Sequence, residues 1–190
     1  MENKNIIDRL IKLMPISSKD ETRHHLCGVC IEQATDRREL ILTVTDGHKA
    51  IRETVQHDYL PELIGDKKYL VTRDQLPILK AMLKANKIYM PEIKLNRIDT
   101  SEDISFRCGG FTFTAEWLQN YPNVEQIIPD KNKLDKVLSF NAQYLIDLAN
   151  ALADGNKDTV IKLCFKDVTT PIIIKNTRTN REAVLMPCRV

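Results

Sequence analysis

Glycine and aromatic residues are scarce in this 190-residue chain, and each shortage excludes a class of function. Six glycines, single apart from the pair Gly109-Gly110, leave no glycine-rich loop to cradle a nucleotide phosphate. Aromatics make up 6% and are not interleaved with basic residues, which disfavours a stacking groove for single-stranded nucleic acid. No apolar run approaches the ~18 residues of a membrane helix. The N-terminus MENKNIIDRLIKLM lacks the continuous apolar core of a signal peptide. Five cysteines, an odd number without framework spacing, fit a reducing cytoplasm. HExxH, GxSxG and paired-carboxylate motifs are missing, so neither catalysis nor a cofactor is expected. Charge is nearly balanced, with 28 Lys+Arg against 26 Asp+Glu, so net charge alone points to neither nucleic acid nor membrane.

The remaining composition, 43% hydrophobic and 28% charged, is that of a globular chain with its own core. A repeat organises it. Three segments begin with an amphipathic helix and continue as strands. The first helix spans roughly residues 4–14, with Ile6, Ile7, Leu10, Ile11 and Met14 at helical period. The second follows the strand-like KKYLVT; Asp74 is placed to cap it and Pro77 sits in its first turn. The third follows VLSF, with Asn141 as cap and the stripe Leu145, Leu148, Ala151 and Leu152. Leu76, Leu79 and Leu83 recur as Leu145, Leu148 and Leu152 at a constant shift of 69 residues. Alternating runs at 38–45, 103–108, 110–117, 158–165, 170–175 and 183–187 read as strands separated by turn signals such as Asp46-Gly47 and Asp154-Gly155. The expectation is an α+β protein of about three helix-plus-antiparallel-sheet units, with a boundary in 127–136.

Charge placement is more informative than net charge. Arg73, Lys80, Lys84 and Lys87 have spacings that bring them to one helix face, and Arg9 and Lys12 lie on the polar side of the first helix. Such faces are either solvated surface or a track for phosphates read without base contacts. The third helix carries Gln143, Asp147, Asn150 and Asp154 and no Lys or Arg. The CxxC of Cys27 and Cys30 invites a redox or zinc reading. It lies in a β-patterned run, where residues three apart face opposite sides, and no second CxxC completes four ligands. No metal is expected.

Four stretches in order resemble the bacterial sliding clamp, the beta subunit of DNA polymerase III. ETRHHLCGVCIE followed by LTVTDGHKAIRE, and then GFTFTAEWLQNYPNVEQIIP, resemble its middle domain. FNAQYLIDLANAL with FKDVTTPIII, and then AVLMPCRV, resemble the second half of its last domain. The resemblance implies the DNA-clamp fold in one and a half domains. Residues 1–130 would be a complete domain and 131–190 a half domain.

The same resemblance implies function. It assigns a peptide-binding pocket to Leu26, Thr45, Gly47, His48, Lys49, Pro122, Ile127, Thr169, Pro171, Val184, Met186 and Pro187. That pocket would receive short linear motifs of the DNA polymerase and the clamp loader. It assigns sequence-independent duplex DNA contacts to Arg9, Lys12, Arg73, Lys80, Lys84 and Lys87, with Arg23, His24 and His25 on a nearby loop. The family commonly has Arg where Gln126 stands and a bulkier side chain where Cys188 stands. A clamp ring lines its hole with twelve such units, so three per chain imply a homo-oligomeric ring of four. The competing expectation is a non-ring module that competes for clamp-binding motifs and regulates host replication.

Overall fold

A computed structural model of the chain describes residues 6–34, 39–56, 67–85, 94–97, 102–108, 110–129, 134, 136–153 and 155–188. They form two compact units, Met1–Ile128 and Pro129–Val190.

In the first unit, α1 (Ile6–Leu13) is followed by β1 (Gly28–Gln33), β2 (Glu39–Thr45) and β3 (Ala50–Gln56). Then come β4 (Lys68–Thr72), α2 (Leu76–Ala85), β5 (Lys94–Arg97), β6 (Ile104–Cys108) and β7 (Phe111–Leu118). All seven strands form one antiparallel sheet in the order β3-β2-β1-β4-β7-β6-β5. The helices pack together on one face. The apolar stripes explain why. Ile6, Ile7, Leu10 and Leu13 of α1 and Leu79 and Met82 of α2 are buried, over Val29, Ile31, Leu42, Tyr69, Val71 and the stacked Phe106–Phe113 pair. Alternation along β7 does the same for the sheet: Phe113 and Ala115 are buried while Thr112 faces solvent. The opposite face of the central strands is covered by the segment after β7. There Tyr121 Oη donates to the Thr43 carbonyl at 3.2 Å and Val124 is buried.

In the second unit, α3 (Ala142–Ala153) precedes β8 (Ile161–Cys164), β9 (Ile172–Asn176) and β10 (Glu182–Leu185), an antiparallel sheet ordered β10-β9-β8. Asn141 caps α3 as expected, its Oδ1 accepting from the Gln143 and Tyr144 amides at 2.9 and 3.2 Å. Past the end of β10, the Cys188 amide donates to the Ser139 carbonyl at 2.7 Å, tying the segment before α3 to the chain after the sheet. The core is small: Leu152, Ile172, Ile174 and Leu185.

The repeat is therefore topological. Each helix is followed by three strands, and in the second repeat the third of them, β7, lies next to β4, the strand that precedes α2. The 69-residue shift extends to α1, where Ile7, Leu10 and Met14 precede Leu76, Leu79 and Leu83.

Several expectations change. β3 and β5 fall outside the expected strand runs. Asp74 does not cap α2; it lies in the 3-10 turn Arg73–Gln75 and accepts from the Thr72 hydroxyl, which lowers its pKa. Ala151 is exposed rather than part of the α3 stripe. His24 to Leu26 form a 3-10 turn, so β1 begins after Cys27.

The seam between the first two repeats is β1 against β4. Gly28 faces Thr72 there, and a Cβ on Gly28 would meet the Val71 carbonyl oxygen at 2.3 Å and Thr72 Cα at 2.9 Å. Arg73, just past the seam, donates through Nη1 to the carbonyls of Met14 and Ser17 and to Ser17 Oγ at 3.0–3.2 Å. It places a cation where the α1 segment ends, adding a charged donor at the Met14 carbonyl, which the Ser17 amide and hydroxyl also reach. We expect Gly28→Ala to lower unfolding free energy by about 3 kcal/mol in urea titrations, since backbone must move to admit the methyl group. A loss below about 1 kcal/mol would show that the seam can spread freely. Arg73→Ala should cost about 2 kcal/mol in the same titration, because buried carbonyls lose a charged donor. A neutral result would mean that these bonds are replaced by water.

Candidate functional site

The residues expected to bind peptide fall into two sets, one in each unit. In the first unit they gather around the β2–β3 turn. Asp46 Oδ1 accepts from the His48 and Lys49 amides at 2.9 and 3.0 Å, and its other oxygen pairs with Lys49 Nζ at 3.0 Å. These bonds, the amides foremost, hold the Asp46 carboxyl well below its ordinary pKa. Thr45 Oγ1 donates to the Lys49 carbonyl at 2.8 Å and accepts from the Gly47 amide at 3.1 Å. Gly47 has φ of +93°, a left-handed conformation that glycine adopts freely. The turn is thus rigid while His48 and Lys49 project into solvent. Leu26 is buried at the end of its 3-10 turn, Pro122 is exposed, and Ile127 is 71% exposed.

Arg23, which the family resemblance places on the DNA loop, is held next to this turn. Its Nε donates to Asp20 Oδ2 at 3.0 Å and its Nη1 to the Asp46 carbonyl at 3.3 Å, tying the 3-10 turn to the β2–β3 turn. Between these turns is a polar cleft of about 340 Å³ lined by Ser17, Ser18, Lys19, Asp20, Arg23, Asp46, His48 and Lys49. The Ser17–Asp20 wall is not legible as a site in the sequence: its only signal there is a polar turn after an apolar helix.

In the second unit, Thr169 and Thr170 are fixed by Asp167. Its Oδ1 accepts from both amides at 2.9 Å and from Thr169 Oγ1 at 2.8 Å, which lowers the Asp167 pKa. Pro171 follows, exposed. On β10, Val184 pairs with Ile173 across the sheet on the face away from the core, and Cys164 continues the row. Val184 and Met186 are 62% and 61% exposed, and Pro187 is half-buried. Core packing does not account for these apolar residues, since the core uses Ile172, Ile174 and Leu185 of the opposite face.

The basic residues divide. Arg9 pairs with Glu53 of β3 through two hydrogen bonds, Nε to Oε1 at 2.7 Å and Nη2 to Oε2, which raises its pKa. Arg73 is held by the carbonyls already described and does not share a helix face with Lys80. His24 Nε2 contacts Glu116 Oε2 at 2.6 Å. Lys12 pairs with Asp8 one turn away but remains exposed, as do His25, Lys80 and Lys84. Lys87 lies outside the described residues. Lys12, Lys80, Lys84 and His25 are therefore exposed at the surface, whereas Arg9 and Arg73 are held by partners within the fold.

Cys27 and Cys30 are both buried and free. The Cys27 thiol donates to the carbonyls of Asp20 and Arg23 at 3.2 and 3.5 Å. Burial pushes the Cys30 thiol up to about 12, so thiolate chemistry is disfavoured.

No protein-family model matches the chain. No curated protein matches it significantly. Solved structures do. The beta sliding clamp of Caulobacter crescentus superposes with a TM-score of 0.71 at 17% identity, over 95% of this chain and 48% of the clamp. The DNA polymerase beta subunit of Streptococcus pyogenes gives 0.69 at 16%, over 97% of this chain and 48% of that one. The sliding clamp of Bartonella birtlesii bound to griselimycin gives 0.60 at 18%, over 97% and 65%. The chain spans about half the length of the first two. It has the fold of the bacterial DNA polymerase III beta sliding clamps, repeated over about half their extent.

Proposed function

We propose that the protein acts as a DNA sliding clamp: a processivity factor, without enzymatic activity, that encircles duplex DNA as a homo-oligomeric ring and holds a polymerase through a short peptide motif. The observation that carries the reading is the topological repeat of helix-plus-sheet units in the clamp fold, combined with apolar residues left exposed where the core does not need them. In the second unit, the exposed Val184 and Met186 supply apolar anchoring. Met186 is the adaptable one. The rigid Thr45–Lys49 turn, with His48 and Lys49 projecting, would set the register of a bound peptide. Lys12, Lys80 and Lys84 are exposed on helices, and topological encirclement makes weak phosphate contacts sufficient for retention with sliding.

Griselimycin, bound in the Bartonella birtlesii structure, is a ready ligand with which to test the proposed peptide site. Calorimetric titration should show binding, with His48→Ala and Met186→Ala each weakening it about tenfold, the loss of one buried anchor. No binding by the unaltered chain would overturn the peptide half of the reading.

The DNA half rests on salt. Plotting the logarithm of affinity for a circular duplex against the logarithm of salt concentration should give a steep negative slope. Lys12→Gln with Lys84→Gln should reduce that slope by about two, one for each phosphate no longer neutralised. A slope unchanged by the double variant would remove these lysines from the DNA surface.

A further inference from the structure

The cleft between the 3-10 turn Glu21–Leu26 and the β2–β3 turn lies wholly within the first unit, and the function proposed above uses only its rim, His48 and Lys49. Its chemistry is lopsided. Lys19, Arg23 and Lys49 line it against the carboxylates of Asp20 and Asp46, with His48 beside them. Both carboxylates are already satisfied. Asp20 Oδ1 accepts from the Thr22 hydroxyl at 2.6 Å and the Thr22 amide at 3.1 Å, and its Oδ2 accepts from Arg23 Nε. Asp46 Oδ1 accepts from the His48 and Lys49 amides, and its Oδ2 faces Lys49 Nζ. These bonds, the Thr22 hydroxyl foremost at Asp20 and the His48 amide foremost at Asp46, hold both carboxyls below their ordinary pKa. Both stay ionised, and their oxygens are largely spent.

Donors, by contrast, are left over. Arg23 gives Nε to Asp20 and Nη1 to the Asp46 carbonyl, and its Nη2 makes no hydrogen bond among the described residues. The side chains of Lys19 and His48 are exposed and have no partner among the described residues. Ser18 is buried; its Oγ accepts from the Asp20 amide at 3.1 Å, and its hydroxyl proton goes to no acceptor among the described residues. The guanidinium is also closely placed. A Cβ at Gly47 would come within 3.3 Å of Arg23 Nη1, so the bare backbone of the turn is what lets Arg23 lie against it.

We infer that this cleft receives a carboxylate of the bound peptide, from an Asp or Glu side chain or from the peptide's own C-terminus, with Lys19, Arg23 and the Ser18 hydroxyl as its donors. The inference deepens the peptide reading and rests on it. A carboxylate only accepts hydrogen bonds, so it uses surplus donors and asks for no acceptor. Its single negative charge balances three cations set against two carboxylates, whereas a phosphate dianion would overshoot. The volume, about 340 Å³, is at the small end of ligand sites. His48 and Lys49 belong both to the cleft and to the turn proposed to set the peptide's register, so an acid held here lies next to the stretch of peptide that the turn holds.

Calorimetric titration of the full chain tests it with the blocked peptides Leu-Phe-Ser-Glu and Glu-Ser-Leu-Phe, each beside its Gln counterpart. Leu-Phe-Ser with a free or an amidated C-terminus completes the set. At least one acid-bearing peptide should bind about tenfold more tightly than its neutral counterpart, the effect of one charge-assisted hydrogen bond, and the pair that shows the gap identifies the source of the carboxylate. Added salt should narrow the gap. Lys19→Gln, at an exposed position without a partner, should reduce it to about twofold or less, while Lys19→Arg should preserve it. Arg23→Gln should also reduce it. Equal affinities within every pair, with griselimycin still bound, would overturn the inference and leave the peptide reading standing. So would a gap that Lys19→Gln and Arg23→Gln both leave intact. If Lys19→Gln instead lowers the salt slope for circular duplex and leaves the peptides unchanged, the cleft meets DNA phosphate and the inference falls. No binding by griselimycin or by any of the peptides overturns both readings.

Discussion

The seam between β1 and β4 decides whether the first unit is one body or two. Each repeat alone would bury one helix on a few strands, too little apolar area for an independent core. Joining at β1–β4 makes a seven-stranded sheet and sets α1 beside α2, so both apolar stripes share one core. The seam works because position 28 has no side chain. The backbone of Thr72 and the Val71 carbonyl occupy the space that any Cβ would take. Arg73 then fastens the far end of the α1 segment to the start of the next repeat.

That seam reorders the meaning of the positive charges. A basic residue on a helix looks the same in sequence whether it faces phosphate or an internal acceptor. Arg9 and Glu53 are 44 positions apart, and Arg73 and Met14 are 59 apart. No local pattern reveals such pairs. The two arginines end up as fasteners, while the lysines of α1 and α2 stay solvated. The division has a chemical basis, since the planar guanidinium makes several directed bonds at once, to paired carboxylate oxygens or converging carbonyls, and an ammonium on a flexible stem suits loose phosphate contact.

Legibility in the sequence follows range. Helix stripes and the Asn141 cap are readable because their partners lie within a turn or two. The repeat is readable because its spacing is constant from α2 to α3. β3 is harder: AIRETVQ is an edge strand of the sheet, and only Val55 of its apolar residues reaches the core. β5, with KLNR, has almost no apolar signal at all. Among site residues, the Thr45–Lys49 turn is legible through Asp46-Gly47, a local signature. The Ser17–Asp20 wall and the role of Arg23 are not, because a 23-residue separation hides the bond from Arg23 to Asp46.

The second unit shows why its apolar surface should be read in two parts. Its inner sheet face supplies Ile172, Ile174 and Leu185 to a core that α3 closes. Its outer face carries Ile173 and Val184 in a cross-strand row, with Met186 beyond the strand end. A sheet needs only one apolar face to fold against a helix, and the other is ordinarily polar. The outer row thus costs solubility without adding to this core, which is what a docking face for a small apolar ligand requires.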